Sequence, residues 1–219
     1  MFVLAIAGSA QAQTADERPL RRLEVEMGGG LIGGAAAGEA DATLLANDPV
    51  RRPLTLFETT TRIGPAPAFH VRLGAALSRR ITIEGGVVLS RPELRLSTSG
   101  DAESGPSLTI VERIDQYFFE GSVLILIDEA RLGGRTVPFV AAGGGYLRQL
   151  HEGQTIIEHG VLFHAGGGLK HWFLARSQGA LRGAGMRADA RVYILRDNIA
   201  IEDRPRPHGA VSGSLFLVF

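Results

Sequence analysis

The chain has 219 residues and balances 23 basic against 23 acidic side chains, so it has the size of one domain and no net charge that favours nucleic acid. It contains no cysteine, which excludes a disulfide framework, a thiolate metal site and the lipid attachment of a lipoprotein. These counts exclude classes of protein but point to no function.

The first residues are typical of a secretory signal. Residues 2–7 are apolar, and Ala10-Gln11-Ala12 has the A-x-A form of a cleavage site. We expect residues 1–12 to be a signal peptide and residues 13–219 to form the mature domain. The alternative is an ordinary N-terminal tail, because the basic region that usually opens a signal sequence is missing. No stretch approaches the ~18–20 continuous apolar residues of a membrane helix, so an exported chain would be periplasmic, secreted or an outer-membrane barrel.

Alternation of apolar and polar residues predicts three strands in the first half of the chain. They cover residues 22–33, 69–77 and 81–89, and in each strand one parity is apolar while the other is mostly polar or small. Ser78-Arg79 lies between the second and third strands and forms the tight reversal of a hairpin.

The same pattern predicts five further strands. They cover residues 109–127, 137–148, 158–174, 186–194 and 208–219. No helical periodicity of useful length interrupts them. The total of eight is the smallest even number of strands that closes a membrane barrel.

The connections between these strands alternate in length. Those after the second, fourth and sixth strands are short, whereas most of the others are longer and more polar, residues 34–66 and 91–107 above all. Residues 151–157 are the exception, being about as short as the turns. Short turns on one side and long loops on the other are typical of a transmembrane barrel. We therefore predict an all-β fold, an antiparallel up-and-down eight-stranded transmembrane β-barrel.

Alternation alone does not say which parity faces inward, because a soluble lipocalin-type barrel is apolar inside. The terminal aromatic Phe219, the predicted export and the uneven loops favour the membrane sense, with the apolar parity towards lipid. Charged residues of both signs lie in mid-strand on the other parity, and in a closed interior they would have to pair. The predicted lumen charge network consists of Arg72, Glu84, Glu120, Lys170, Arg187, Asp189 and Arg191.

Two interpretations of this network remain open. It is either a salt-bridged plug or the lining of a narrow ion path. The interior of an eight-stranded barrel is just wide enough for side chains to fill, which favours the plug.

Glycines and aromatics agree with a small barrel. Glycine runs at 28–30, 85–86, 143–145 and 166–168 fall inside predicted strands, where glycine permits strong coiling. No helical pattern or Gly-Lys-Ser/Thr follows any of them, which argues against nucleotide-binding loops. Trp172 falls on the inward parity as a candidate plug residue. The candidate girdle aromatics are Tyr117, Phe119, Phe139, Phe173 and Phe219.

Histidines near the predicted outer side are the candidates for hidden chemistry. His70 is expected near the outer end of the second strand, and His151 and His159 flank the third outer loop beside Glu152 and Glu158. Their spacing matches no zinc signature, and no nucleophile, base and orienting group can be assembled from them. We interpret them as polar loop residues and predict no catalytic residue, no metal site and no cofactor.

Three segments carry a family resemblance. Residues 137–146 are similar to the strand P-Y/F-V-x-x-G-x-G-Y, residues 163–173 to F-x-x-G-x-G-x-x-Y-x-F, and residues 187–193 to R-x-D-x-R-x-Y. The mature chain thus resembles the small eight-stranded outer-membrane β-barrel proteins of the OmpA-like transmembrane class. The resemblance implies an outer-membrane location and recognition of Phe219 by the barrel-assembly machinery. No peptidoglycan-binding domain follows Phe219, so a cell-wall tether is not expected.

The function that we expect is non-enzymatic. It is a structural or surface-interaction role in the outer membrane, with residues 34–66 and 91–107 exposed outside to carry any binding. The alternative is a narrow pore or a barrel that binds a small ligand or lipid, and a distant alternative is an outer-membrane lipid hydrolase. The expected contacts are outer-membrane lipid and the assembly machinery, with no nucleic acid.

Overall fold

A computed structural model describes residues 22–44, 54–99, 108–151, 157–176, 179–196 and 206–219. The predicted signal peptide, residues 1–12, lies outside the described residues. The strands are β1 (Leu23–Ile32), β2 (Ala35–Leu44), β3 (Leu54–Ile63), β4 (Ala66–Ala76), β5 (Ile81–Ser90), β6 (Glu93–Ser99), β7 (Leu108–Leu126), β8 (Thr136–His151), β9 (Ile157–Ala175), β10 (Gly183–Arg196) and β11 (Arg206–Val218), with one 3-10 turn at Asp128–Ala130. None of the helical structure within these ranges is long and apolar enough to cross a membrane.

Eight of the strands close into a barrel. The order around the wall is β1-β4-β5-β7-β8-β9-β10-β11, and every neighbouring pair is antiparallel. The first and last strands pair directly, with Gly28 opposite Ser214, and the N–H of Phe219 donates to the carbonyl of Leu23 at 2.8 Å. The predicted antiparallel up-and-down eight-stranded barrel is confirmed, and each of its eight strands overlaps a predicted one.

The remaining strands build an extension above the barrel. Strands β2, β3, β6 and residues 108–113 of β7 form a four-stranded antiparallel sheet in the order β2-β3-β6-β7. The register runs on without a shift from β1–β4, where Ile32 faces Ala66, to β2–β3, where Ala35 faces Ile63. These strands are therefore barrel strands continued outward, and the extension is confined to one half of the barrel rim.

This extension corrects part of the sequence prediction. Residues 34–66 and 91–107 were expected to be loops, but β2, β3 and β6 occupy much of both segments. The ladder is interrupted near Pro65 and Pro92, because proline offers no N–H to a neighbouring strand. Beyond the prolines β2 is rich in alanine and β3 in threonine, and β6 has only Leu94 and Leu96 on one parity, so little alternation of large apolar residues marks these strands.

Burial shows which parity faces outward. Met27 is 56% exposed and Leu73 62% exposed on the outer wall, whereas Glu26 and Arg187, on the inner parity, are each 1% exposed. The outside of the wall is apolar and the inside is charged, which is the sense of a transmembrane barrel and the opposite of a lipocalin. The predicted membrane sense is therefore confirmed.

Inward-facing glycines let the strands approach closely. A Cβ atom at Gly145 would lie 1.9 Å from the carbonyl oxygen of Phe119, and one at Gly168 would lie 2.0 Å from that of Ala188. Neither position can hold a larger side chain without moving the neighbouring strand. The glycine runs thus permit the tight coiling that a barrel of this size requires.

Candidate functional site: the charged lumen and the outer rim

The lumen is filled in three layers. The layer nearest the short turns is apolar and contains Leu124, Phe139 and Ala141. The middle layer holds the charged residues. The layer towards the extension is again apolar, and its buried members are Ile32, Val88, Phe118, Leu147, Leu162, Tyr193 and Leu195. Apolar side chains therefore close the charged layer from both ends.

All seven residues of the predicted network lie in the middle layer, and Arg187 is central to it. Its Nη1 donates to Oε2 of Glu26 at 2.9 Å and to Oε1 of Glu84 at 2.8 Å, while its Nε lies 2.8 Å from Oδ2 of Asp189. The guanidinium carbon also lies 4.4 Å from the ring centre of Phe139, in the apolar layer below. One cation thus joins strands β1, β5 and β10.

The other two arginines of the network contact Glu120 on β7, across the lumen from β10. Arg72 lies 2.8 Å from Glu26 and 3.0 Å from Glu120, and Arg191 lies 3.2 Å from Glu120. Both also approach Asp189, at 3.6 and 3.4 Å. Each arginine therefore lies near at least two carboxylates, which offsets the cost of burying its charge.

Lys170 lies at the edge of the network nearest the short turns. Its Nζ lies 2.5 Å from Glu24 and 3.9 Å from Glu84, and 5.2 Å from the ring centre of Phe216. The ring of Trp172 packs edge-on against Phe216 at 5.3 Å. Trp172 thus lies beside the apolar layer that fills this end of the lumen.

The sequence prediction omitted several members of this layer. Glu24 and Glu26 lie on the polar parity of the first strand, so that parity was a signal for them. Hydroxyl groups also take part: Tyr193 donates to Glu120 at 3.0 Å, Ser214 to Glu26 at 2.9 Å and Ser212 to Asp189 at 2.9 Å. Their identity as partners depends on the register of distant strands, which the sequence does not show.

Two expectations are corrected here. His70 is not at the outer end of its strand but is 2% exposed within the lumen, with Nε2 at 3.4 Å from Glu26. Phe139 is not a girdle residue, since it is 2% exposed and faces inward. Among the other girdle candidates, Phe119, Phe173 and Phe219 are exposed on the outer wall at 45%, 53% and 43%.

Three acidic side chains of the lumen lie close enough together to be compared with a metal site. The carboxylates of Glu24, Glu26 and Glu84 have oxygen atoms within 4.8 Å of one another. However, Lys170 and Arg187 already contact these carboxylates, so the protein supplies the compensating charge. A cavity of about 20 Å³ beside Arg72, Asp189 and Arg191 has room for about one water molecule and not for a ligand.

The histidines of the third outer loop lie at the rim, at the ends of β8 and β9. His159 faces outward, stacks on the ring of Tyr146 with centres 5.4 Å apart, and forms a hydrogen bond with its hydroxyl group. His151 faces inward between two carboxylates, with Glu112 at 2.9 Å and Glu158 at 3.8 Å. Glu152 lies outside the described residues.

No protein-family model and no curated sequence matches the chain. Solved structures are similar to it in fold. Neisserial surface protein A (NspA) matches 90% of this chain and 97% of its own, with a TM-score of 0.53 at 10% identity. The outer membrane protein OprG from Pseudomonas aeruginosa matches 91% and 96%, with a TM-score of 0.51 at 7% identity.

Ail, the attachment invasion locus protein of Yersinia pestis, has been solved with the heparin analogue sucrose octasulfate. It covers 91% of this chain and 99% of its own, with a TM-score of 0.46 at 11% identity. The closed wall of the chain and its likeness to NspA and OprG together show the fold of a small eight-stranded outer-membrane barrel.

Proposed function

We propose that the protein is a non-enzymatic outer-membrane barrel that uses its extension as an interaction surface. The observation that carries the proposal is the contrast between the two parts of the molecule. The lumen is filled from end to end, whereas the four-stranded extension presents apolar side chains beyond the barrel. The lumen charge network then acts as a structural plug that holds the wall together.

The extension has the features of a binding surface. Leu108 is 61% and Ile110 53% exposed, and Phe57, on the same face of the sheet two strands away, is 40% exposed, whereas Val111, 51% exposed, lies on the opposite face. Exposed apolar side chains in such a group are typical of a site that binds another molecule. In the described part of the chain, residues 108–111 pair with β6 alone, so the other edge of this segment is open to a further strand.

The proposal is tested by adhesion. Cells that display the protein would be counted on surfaces coated with fibronectin, laminin or collagen, as representative extracellular proteins, against cells carrying an empty vector. We expect retention on at least one coating, and loss of that retention for Ile110→Lys, because a charge there disrupts the apolar face. The matched control is Leu132→Lys, which changes a residue that is 58% exposed at the opposite end of the barrel.

The outcome that would contradict this role is the absence of retention on all three coatings. Conductance in planar bilayers tests the alternative of a narrow pore. We expect no channel steps, because charged and apolar side chains fill the described lumen, and two cavities among them measure about 10 and 20 Å³. Discrete steps from the purified barrel would support the pore instead.

We also propose that the chain is exported through residues 1–12 and assembled through recognition of its last strand. The exposed terminal ring of Phe219 supports this, since the outer wall beside it is accessible to an assembly factor. Deletion of Phe219 is expected to reduce the folded fraction in cells but to leave refolding into detergent micelles unchanged. An equal loss in both would mean that Phe219 acts through stability alone.

A further inference from the structure

Three ionisable residues meet at the outer rim of the barrel, away from the lumen charge network. Glu112, His151 and Glu158 lie near the outer ends of β7, β8 and β9 and face inward. Adjacent register pairs place them together, since Ile114 is opposite His151 and Gln149 is opposite Glu158. The three side chains are 31%, 13% and 34% exposed, so the group is partly enclosed and still open to solution.

The two nitrogens of His151 have different surroundings. Nδ1 lies 2.9 Å from Oε1 of Glu112, which is a hydrogen bond in which the imidazole donates. Nε2 is buried and has no hydrogen-bond partner among the described residues, and the nearest carboxylate oxygen, on Glu158, is 3.8 Å away. A carboxylate on Nδ1 holds the neutral ring in the tautomer that leaves a lone pair on Nε2. The Nε2 lone pair is then available to a ligand between His151 and Glu158.

This arrangement shares one feature with metal-binding histidines. A histidine that binds a metal almost always donates its other N–H to a carboxylate, a carbonyl or water, which fixes the ring and raises its basicity. Two carboxylates beside a neutral imidazole also leave negative charge at the rim, and the described contacts give neither carboxylate an arginine or lysine partner. Both the ligand geometry and the charge favour a dication.

We propose that His151 Nε2 and the Glu158 carboxylate bind a divalent transition-metal ion, with zinc as the best fit, and that water molecules complete the coordination. Glu112 is a positioning residue that orients the imidazole. Zinc bonds of ~2.0–2.2 Å at a tetrahedral angle place the nitrogen and oxygen ~3.4 Å apart, so the two groups need to close by only a few tenths of an ångström. A nitrogen ligand disfavours calcium and magnesium, which prefer oxygen.

The test measures zinc binding by the full mature chain. The chain is produced without an affinity tag, refolded in detergent micelles and freed of metal with a chelator. Titration of zinc against a fluorescent zinc indicator is expected to show one site per chain. His151→Gln and Glu158→Gln should each weaken binding by at least about tenfold. Glu112→Gln should weaken it by about tenfold as well, since loss of an outer carboxylate costs ~10–100-fold in affinity.

The matched control is His159→Gln, which removes a neighbouring histidine that faces outward. It is expected to bind zinc as the wild type does. Each variant is checked for its heat-dependent shift on a gel, and NMR of wild-type His151 provides a readout that needs no variant. Addition of zinc should shift the Nε2 resonance of His151 at pH 7.

Three results would overturn the proposal. These are the absence of zinc binding by the wild type, equal binding by wild type and His151→Gln, and an NMR spectrum in which His151 is doubly protonated at pH 7 and unaffected by zinc. The last would mean that an imidazolium is simply paired with two carboxylates. The experiment is independent of the proposed function, because it reads neither adhesion nor conductance.

Discussion

At the residue scale, the buried charges of the lumen depend on one another. Arg187 contacts Glu26, Glu84 and Asp189 within 2.9 Å, and all four side chains are almost completely buried. A buried ion pair contributes little net stability over an apolar pair, but removal of one partner leaves the other charged and desolvated. The lumen charge network should therefore be sensitive to the loss of any single arginine.

We expect Arg187→Ala to lower the free energy of unfolding by ~3–5 kcal/mol, because three buried carboxylates lose a shared partner. Urea unfolding in detergent micelles measures this through the fluorescence of Trp172, the only tryptophan. The control is Arg131→Ala, which breaks an exposed ion pair with Asp128 and should cost at most ~1 kcal/mol. If Arg187→Ala and Asp189→Ala both unfold at the wild-type urea concentration, the lumen charge network is not a structural plug.

The sequence predicts this layer only in part, for a physical reason. Alternation places Arg72, Arg187 and Asp189 on the inward parity, because each strand needs only its own pattern to show its two faces. The ion-pair partners cannot be predicted from alternation, because Arg187 and Glu26 are 161 residues apart and meet only when β1 pairs with β11. The direction of each side chain was therefore predictable, but the contacts depend on strand register and on closure of the barrel.

At the element scale, the strands that were easiest to predict are those with large residues on one face. Strands β9 and β10 carry Val161, Phe163, Val192 and Ile194 towards the outside, and the predicted bounds agree closely with the structure. Strands β2 and β3 carry mostly alanine and threonine, which form β-structure without marking a buried face. The sequence does not mark the extension, because each strand contributes few large apolar residues and its small core forms only when the strands pair in register.

The glycine at position 145 provides a prediction for one element. We expect Gly145→Ala to destabilise the barrel by ~1–3 kcal/mol or to prevent closure, because the new methyl group would overlap the carbonyl of Phe119 and push β7 from β8. The control is Gly209→Ala on β11, where a Cβ atom has no neighbour within 4 Å. Heat-dependent gel shifts after refolding compare the two. Equal folded fractions would show that close approach of the strands at Gly145 is not required.

At the scale of the whole molecule, the barrel and the extension depend on different contacts for their folding. Closure needs the pairing of β1 with β4 and β11, which ends at Ile32, below the extension. The extension adds its own small core, in which Ala37, Ile63, Leu94 and Ile114 are buried. The upper part of the β2–β3 hairpin contributes nothing to the closed wall, so the two parts should be separable.

We therefore expect a chain in which residues 39–60 are replaced by an Asn-Gly turn, which joins the paired residues Gly38 and Thr61, to fold as a barrel and to lose adhesion. The turn suits a two-residue hairpin, and the shortened strands keep both Ala37 and Ile63. The gel shift and the urea midpoint should stay near wild-type values, while retention on the coated surfaces falls to that of the empty vector. A chain that no longer folds would show that the extension stabilises the wall, and one that still adheres would confine the interaction surface to β6 and the first residues of β7.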